Sequence, residues 1–171
     1  MSTARRIGRL LSLVLTGSVA LMVAPSPASA SPFYPYETNQ AALTSASPPS
    51  DAICDRVQIS SSYYIEGCFQ KYGDRWWVRQ IGNDITTRAY IEWENELAAY
   101  QGPLGTPNYE VYRDGQCLAA PSTSQWSTCE KDYYENSSTN YFGLKGSRLY
   151  WHVCLAPYDS CYTSRTTVNN G

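Results

Sequence analysis

The chain has 171 residues, 13 basic against 15 acidic, and six cysteines. Its formal charge of −2 speaks against the basic footprint with which proteins hold nucleic acid. Fifteen tyrosines and five tryptophans favour strands over a helical bundle.

Taken in order, Arg5, Arg6 and Arg9 precede an apolar run from Leu10 to Ala24, followed by Pro25, Pro27 and small residues up to Ala30. Residues 1–30 therefore read as a secretory signal peptide. The run is short for a membrane span, and no later stretch is long or apolar enough to be one. Cleavage after Ala30 leaves ten basic against fifteen acidic residues, a charge of −5. The mature protein is expected to be secreted and extracellular, with neither nucleic acid nor membrane as a partner.

Residues 31–50 are rich in Pro, Ser and Ala without a periodic apolar pattern, and read as a flexible tether. A single disulfide-bonded β domain is expected over residues 51–171. In it, Val57 and Ile59, then Tyr63 and Ile65, alternate with polar neighbours on either side of Ser61-Ser62, which predicts a first hairpin. Trp76 and Val78 alternate with Trp77 and Arg79, and Ala89, Ile91 and Trp93 with Arg88, Tyr90 and Glu92. Joined through Gly82–Ile85, these runs predict a central hairpin with Trp76 opposite Ile91 and Trp77 opposite Tyr90.

Glu94–Tyr100 has the makings of one helical turn at most, and Gly102–Pro107 is a loop by composition. Tyr109, Val111 and Arg113 alternate up to Asp114-Gly115, a two-residue hairpin signal. The returning strand and Trp126–Cys129 then complete a meander. Leu149, Trp151 and Val153 alternate with Tyr150 and His152, and Ala156-Pro157-Tyr158-Asp159 reads as a turn. About eight short strands without a convincing helix predict an all-β fold, an antiparallel sandwich or barrel stapled by disulfides.

Six cysteines allow fifteen pairings. Sequential bridges Cys54–Cys68, Cys117–Cys129 and Cys154–Cys161 are favoured, because each pair flanks a turn and short loops close at lower entropic cost. Zinc is the rival reading; the spacing and an oxidising compartment oppose it, so no metal or other cofactor is expected.

Catalytic signals are thin. His152, the single histidine, sits on a strand pattern without a nucleophile motif. Glu92, Glu94 and Glu96 share a strand face with neighbours ~7 Å apart, inside the ~5–9.5 Å window of glycosidase carboxylates, yet alternating acids at a strand end are usually a solvated face. A non-enzymatic binding protein is expected. Its candidate ligand-binding residues are Trp77, Arg79, Tyr90 and Glu92, whose rings and hydrogen-bonding groups suit a sugar face or a protein anchor. Ordinary half-covered packing is the competing reading of the same four. The partner is an extracellular glycan or protein; the alternative is a secreted inhibitor of an amylase or protease.

The run Gly67-Cys68-Phe69-Gln70-Lys71-Tyr72-Gly73-Asp74-Arg75-Trp76-Trp77-Val78-Arg79, with Glu92-Trp93, Gly115-Gln116-Cys117 and Trp126–Tyr133 downstream, resembles small secreted, cysteine-containing proteins of actinobacteria. That resemblance implies export and an all-β fold and attaches no activity. More weakly, the chain is similar to the disulfide-bonded α-amylase inhibitors of the same bacteria. Ser60–Tyr64 occupies the place of their inhibitory Trp-Arg-Tyr turn but lacks the Trp and the Arg.

Overall fold

The computed structural model describes residues 35–82, 86–121 and 124–169. The expected leader lies outside the described residues. The described chain is a β-sandwich of two sheets, with no helix among the described residues. Its strands are β1 (Glu37–Gln40), β2 (Ala42–Thr44), β3 (Ile53–Ser60), β4 (Tyr63–Gln70), β5 (Arg75–Ile81), β6 (Arg88–Gln101), β7 (Pro107–Leu118), β8 (Trp126–Glu130), β9 (Ser147–Ala156), β10 (Ser160–Cys161) and β11 (Arg165–Val168). One sheet runs β1-β7-β6-β9-β10, with β11 also on β9; the other runs β2-β8-β5-β4-β3. Only β1–β7 is parallel among these pairs.

Alternation sorts the inner faces as the sequence pattern requires. Ile65, Phe69, Trp76 and Val78 of one sheet meet Ile91, Trp93, Leu149, Trp151 and Val153 of the other, all with no solvent exposure. Trp76 and Trp151 touch edge to face across the gap, centroids 5.5 Å apart, an arrangement worth about 0.5–1.5 kcal/mol beyond burial. At Gly67 the sheets approach closely: a Cβ there would lie 2.8 Å from Val153 and 2.9 Å from Ile91.

All three sequential disulfides form. Cys54–Cys68 and Cys154–Cys161 join directly opposed residues of β3–β4 and β9–β10. Cys117–Cys129 differs, because β7 and β8 lie in different sheets. It staples the sandwich together.

Several expected connections are corrected. The central hairpin does not exist: β5 pairs with β4 and β8, and β6 with β7 and β9. The apolar faces are the ones the alternation predicts, but Trp76 and Ile91 enter the shared core from opposing sheets rather than from neighbouring strands. Gln80, buried at the end of β5, accepts a hydrogen bond from the Ala89 amide (3.0 Å) and so fastens the crossing. Glu94–Tyr100 continues β6 instead of turning into a helix, since two flanking strands, β7 and β9, capture its backbone. Asp114-Gly115 is no turn but lies inside β7. The absent side chain of Gly115 makes room for β1, whose Glu37 carbonyl would be 2.3 Å from a Cβ.

The expected tether is likewise corrected. From Glu37 it supplies an edge strand to each sheet, with Ala41 buried at the crossing. Polar edge strands lack an apolar period, and β1 is held instead by main-chain bonds and ion pairs. The domain therefore begins before residue 51.

Candidate functional site

The four residues expected to form one binding face lie on opposite outer faces of the sandwich. Trp77 and Arg79 belong to β5, Tyr90 and Glu92 to β6. Trp77 is 3% exposed, packs with Cys68, Trp126 and Ala52, and donates its indole N–H to Gln70 Oε1 (3.0 Å). Arg79 pairs with Glu66 and lies 4.3 Å from the Trp126 ring centroid. On the far side, Tyr90 is buried and its hydroxyl donates to Asp159 (3.4 Å). Burial, then the charges of Asp159 and Glu92, push its pKa up to about 12. Glu92 accepts from the Tyr36 hydroxyl (3.4 Å). No shared aromatic surface results, and the two rings are packing elements.

The carboxylates Glu92, Glu94 and Glu96 do share the outer face of β6, opposite His152, Tyr150 and Arg148. Glu96 is taken by an ion pair with Arg148. His152 Nδ1 meets the Thr163 carbonyl at 2.7 Å, and its ring stands edge-on to Tyr150.

A different site emerges at the sandwich edge. A cleft of about 560 Å³ opens between β1, β7 and the segment following β8, lined by Glu37, Asn95, Tyr112, Arg113, Asp132, Tyr133 and Tyr134. Three charges at its wall engage one another. Glu37 accepts from Arg113 (2.7 Å) and Lys131 (2.5 Å), and Arg113 also donates to the Asp132 carbonyl (2.8 Å). Burial opposes the Glu37 carboxylate, but the hydrogen bonds and charges of Arg113 and Lys131 outweigh it and hold its pKa below the usual range. For Lys131, with a side chain 3% exposed, burial dominates and lowers its pKa despite Glu37.

The segment bearing Tyr133 and Tyr134 is irregular, yet firmly held. Asp74, at positive φ in the β4–β5 turn, accepts from the Tyr133 amide through its side chain (2.7 Å) and from the Lys131 amide through its carbonyl (2.8 Å). Tyr133 accepts from the Trp76 indole (2.9 Å). Asn169, fully buried, donates to the Tyr134 carbonyl (3.0 Å) and receives the Asn136 amide (2.6 Å) on its own carbonyl. Asn95, fully buried, contributes to the cleft; its amide donates to Ser147 and Arg148, while its Oδ1 has no hydrogen-bond partner. An unmatched buried acceptor costs about 1–3 kcal/mol.

From the cleft an aromatic ridge leads away along the molecule. Tyr112 stands 5.7 Å from Tyr134 and 5.4 Å from Tyr141, which in turn is 5.3 Å from Phe142, all between ring centroids. Buried Asn140 fixes this loop: its amide donates to the Ala98 and Gly146 carbonyls, and its Oδ1 accepts from the Phe142 and Leu144 amides. None of these residues was singled out from sequence as a ligand contact. Their one legible trace is the pair of adjacent aromatics at 133–134 and 141–142 in stretches without strand periodicity. No protein-family model, curated protein or solved structure matches the chain, so the site is read from its geometry.

Proposed function

We propose that the protein is exported and acts outside the cell by binding, without catalysis, a neutral glycan in the tyrosine-lined cleft. Support for export comes from the leader pattern and from three disulfides, which suit an oxidising compartment. The observation that carries the ligand class is the pairing of Tyr112 and Tyr134 walls with charges that balance, Glu37 and Asp132 against Arg113 and Lys131. Aromatic faces pack against the C–H faces of sugars, while the surrounding polar groups offer hydrogen bonds without demanding a charged ligand.

Affinity electrophoresis through polysaccharide gels tests this reading. Retardation by at least one polysaccharide is expected. Tyr134→Ala or Tyr112→Ala should weaken it about thirtyfold, the loss of one anchor of ~2 kcal/mol, with near-UV circular dichroism otherwise preserved. Retention by no polysaccharide, or undiminished retention of both folded variants, would defeat the proposal.

One observation favours inhibition of a secreted hydrolase as a second reading. Leu104, 91% exposed, crowns the β6–β7 hairpin, in a turn closed by Gly105 N–H to Gly102 O (2.9 Å) and Gly102 N–H to Thr106 O (2.8 Å). A large apolar side chain on a tight projecting turn suits insertion into an enzyme's specificity pocket. In that reading Leu104, rather than Ser60–Tyr64, makes the contact: Ser60, Ser61 and Ser62 are exposed, but Tyr63 is buried and Tyr64 lies beneath Arg56. Loss of amylase or protease activity on mixing, relieved by Leu104→Ala, would favour inhibition over glycan binding.

A further inference from the structure

A second hollow of about 410 Å³ lies beyond the aromatic ridge, between the β6–β7 hairpin and the loop that follows Phe142. Gly143 and Leu144 line it directly after the ridge residues Tyr141 and Phe142, with Pro107 and Lys145 among its other walls. The row of rings thus leads from Tyr112 and Tyr134 of the first hollow to Phe142, the residue before the second hollow's Gly143. Tyr141, 52% exposed, occupies the middle of the row, in the loop that Asn140 fixes through the Phe142 and Gly143 amides.

We infer that the two hollows and the ridge between them form one extended groove for a linear, uncharged polysaccharide rather than a pocket for a single sugar. The inference rests on the glycan-binding reading and adds the ligand's form. Each hollow is large enough for a small ligand but lies open to solvent, so one sugar unit would keep much of its surface in water. A chain engaging both hollows converts its second contact into an intramolecular one, gaining affinity without a new kind of interaction. Ring contacts run unbroken from Tyr134 through Tyr112 and Tyr141 to Phe142, and Tyr141, the exposed ring among them, is the one available to a sugar unit between the hollows. Formal charge at the first hollow is balanced, with Glu37 and Asp132 set against Arg113 and Lys131. Asn140 gives the ridge its order before ligand arrives, which lowers the entropic cost of binding.

Calorimetry of the mature protein with cello-, xylo-, malto- and chito-oligosaccharides, from dimers to hexamers, provides the test. In the series that binds, affinity should rise at least tenfold from dimer to hexamer. Tyr141→Ala should abolish that rise. Equal affinity for dimer and hexamer, or a length dependence that survives in Tyr141→Ala, overturns the extended groove while leaving the glycan reading intact. Failure of every series to bind, together with retention by no polysaccharide gel, overturns both.

Discussion

Gly115 and Glu37 are direct partners in the parallel pairing of β7 with β1, so close that a Cβ at position 115 would stand 2.3 Å from the Glu37 carbonyl oxygen. Gly115 is therefore what admits the N-terminal segment to the sheet, and Glu37 is what that segment brings to the cleft. Gly115→Ala is expected to displace β1 at a cost of about 1–3 kcal/mol, typical of overpacking. Amide exchange should accelerate over residues 37–44 and stay protected in β6 and β9. Unchanged protection of β1 would contradict this account of Gly115.

Two carboxylates give opposite pH dependences. Glu37 has a lowered pKa, so its contribution is present above the unfolded carboxylate pKa and is lost as pH falls through the lower folded value. For Asp74, burial raises the pKa to about 6, with the Tyr133 amide opposing and the charge of Glu135 adding. The folded chain then binds more protons than the unfolded chain between about pH 4 and 6. Stability from Asp74 falls as pH rises through that window, by no more than about 3 kcal/mol before solvent screening. Asp74→Asn, tolerated at positive φ, should match wild type near pH 4 and exceed it at pH 7 in urea unfolding. A variant weaker than wild type at pH 7 would show that the ionised carboxylate stabilises the Tyr133 segment.

Trp77 and Tyr90 should behave as packing residues. Trp77→Ala empties a nearly closed cluster beside Cys68 and Trp126 and should cost about 3–5 kcal/mol. Polysaccharide retention by the molecules that remain folded, scored below the melting temperature, should equal that of wild type. Loss of retention with an intact melting curve would restore Trp77 to a binding role.

Removing the bridge between the sheets, with Cys117→Ala and Cys129→Ala together, should lower stability by about 3 kcal/mol. A loss of roughly 10 °C in melting temperature is expected for a domain of this size. Calorimetric scans check this, and a shift below a few degrees would mean that the packed core alone sets the spacing of the sheets.

The strands with an apolar period were legible in the sequence, as were the three bridges, because local alternation and short loops decide both. Partnering was not. Trp76 and Val78 need an apolar surface opposite Ala89 and Ile91, and a neighbouring strand or an opposing sheet satisfies that need equally. β1 escaped notice because Glu-Thr-Asn-Gln carries no apolar face, and its place depends on Gly115, Arg113 and Lys131, all more than 70 residues away. The cleft escaped for the same reason. Tyr112, Tyr134 and Tyr141 converge through Asp74, Asn140 and Asn169, polar residues whose roles arise only from tertiary hydrogen bonds.

The central claim is that ligand meets the cleft and its ridge, not the outer faces of the sheets. Amide chemical-shift mapping of the mature protein, titrated with the tightest-binding of the four hexasaccharides, tests it most directly. The account predicts shifts clustered at Tyr112, Arg113, Tyr134 and Tyr141, with Trp77, Arg79, Tyr90 and Glu92 unmoved. Shifts centred on either of those two outer faces, or on Leu104, would contradict it.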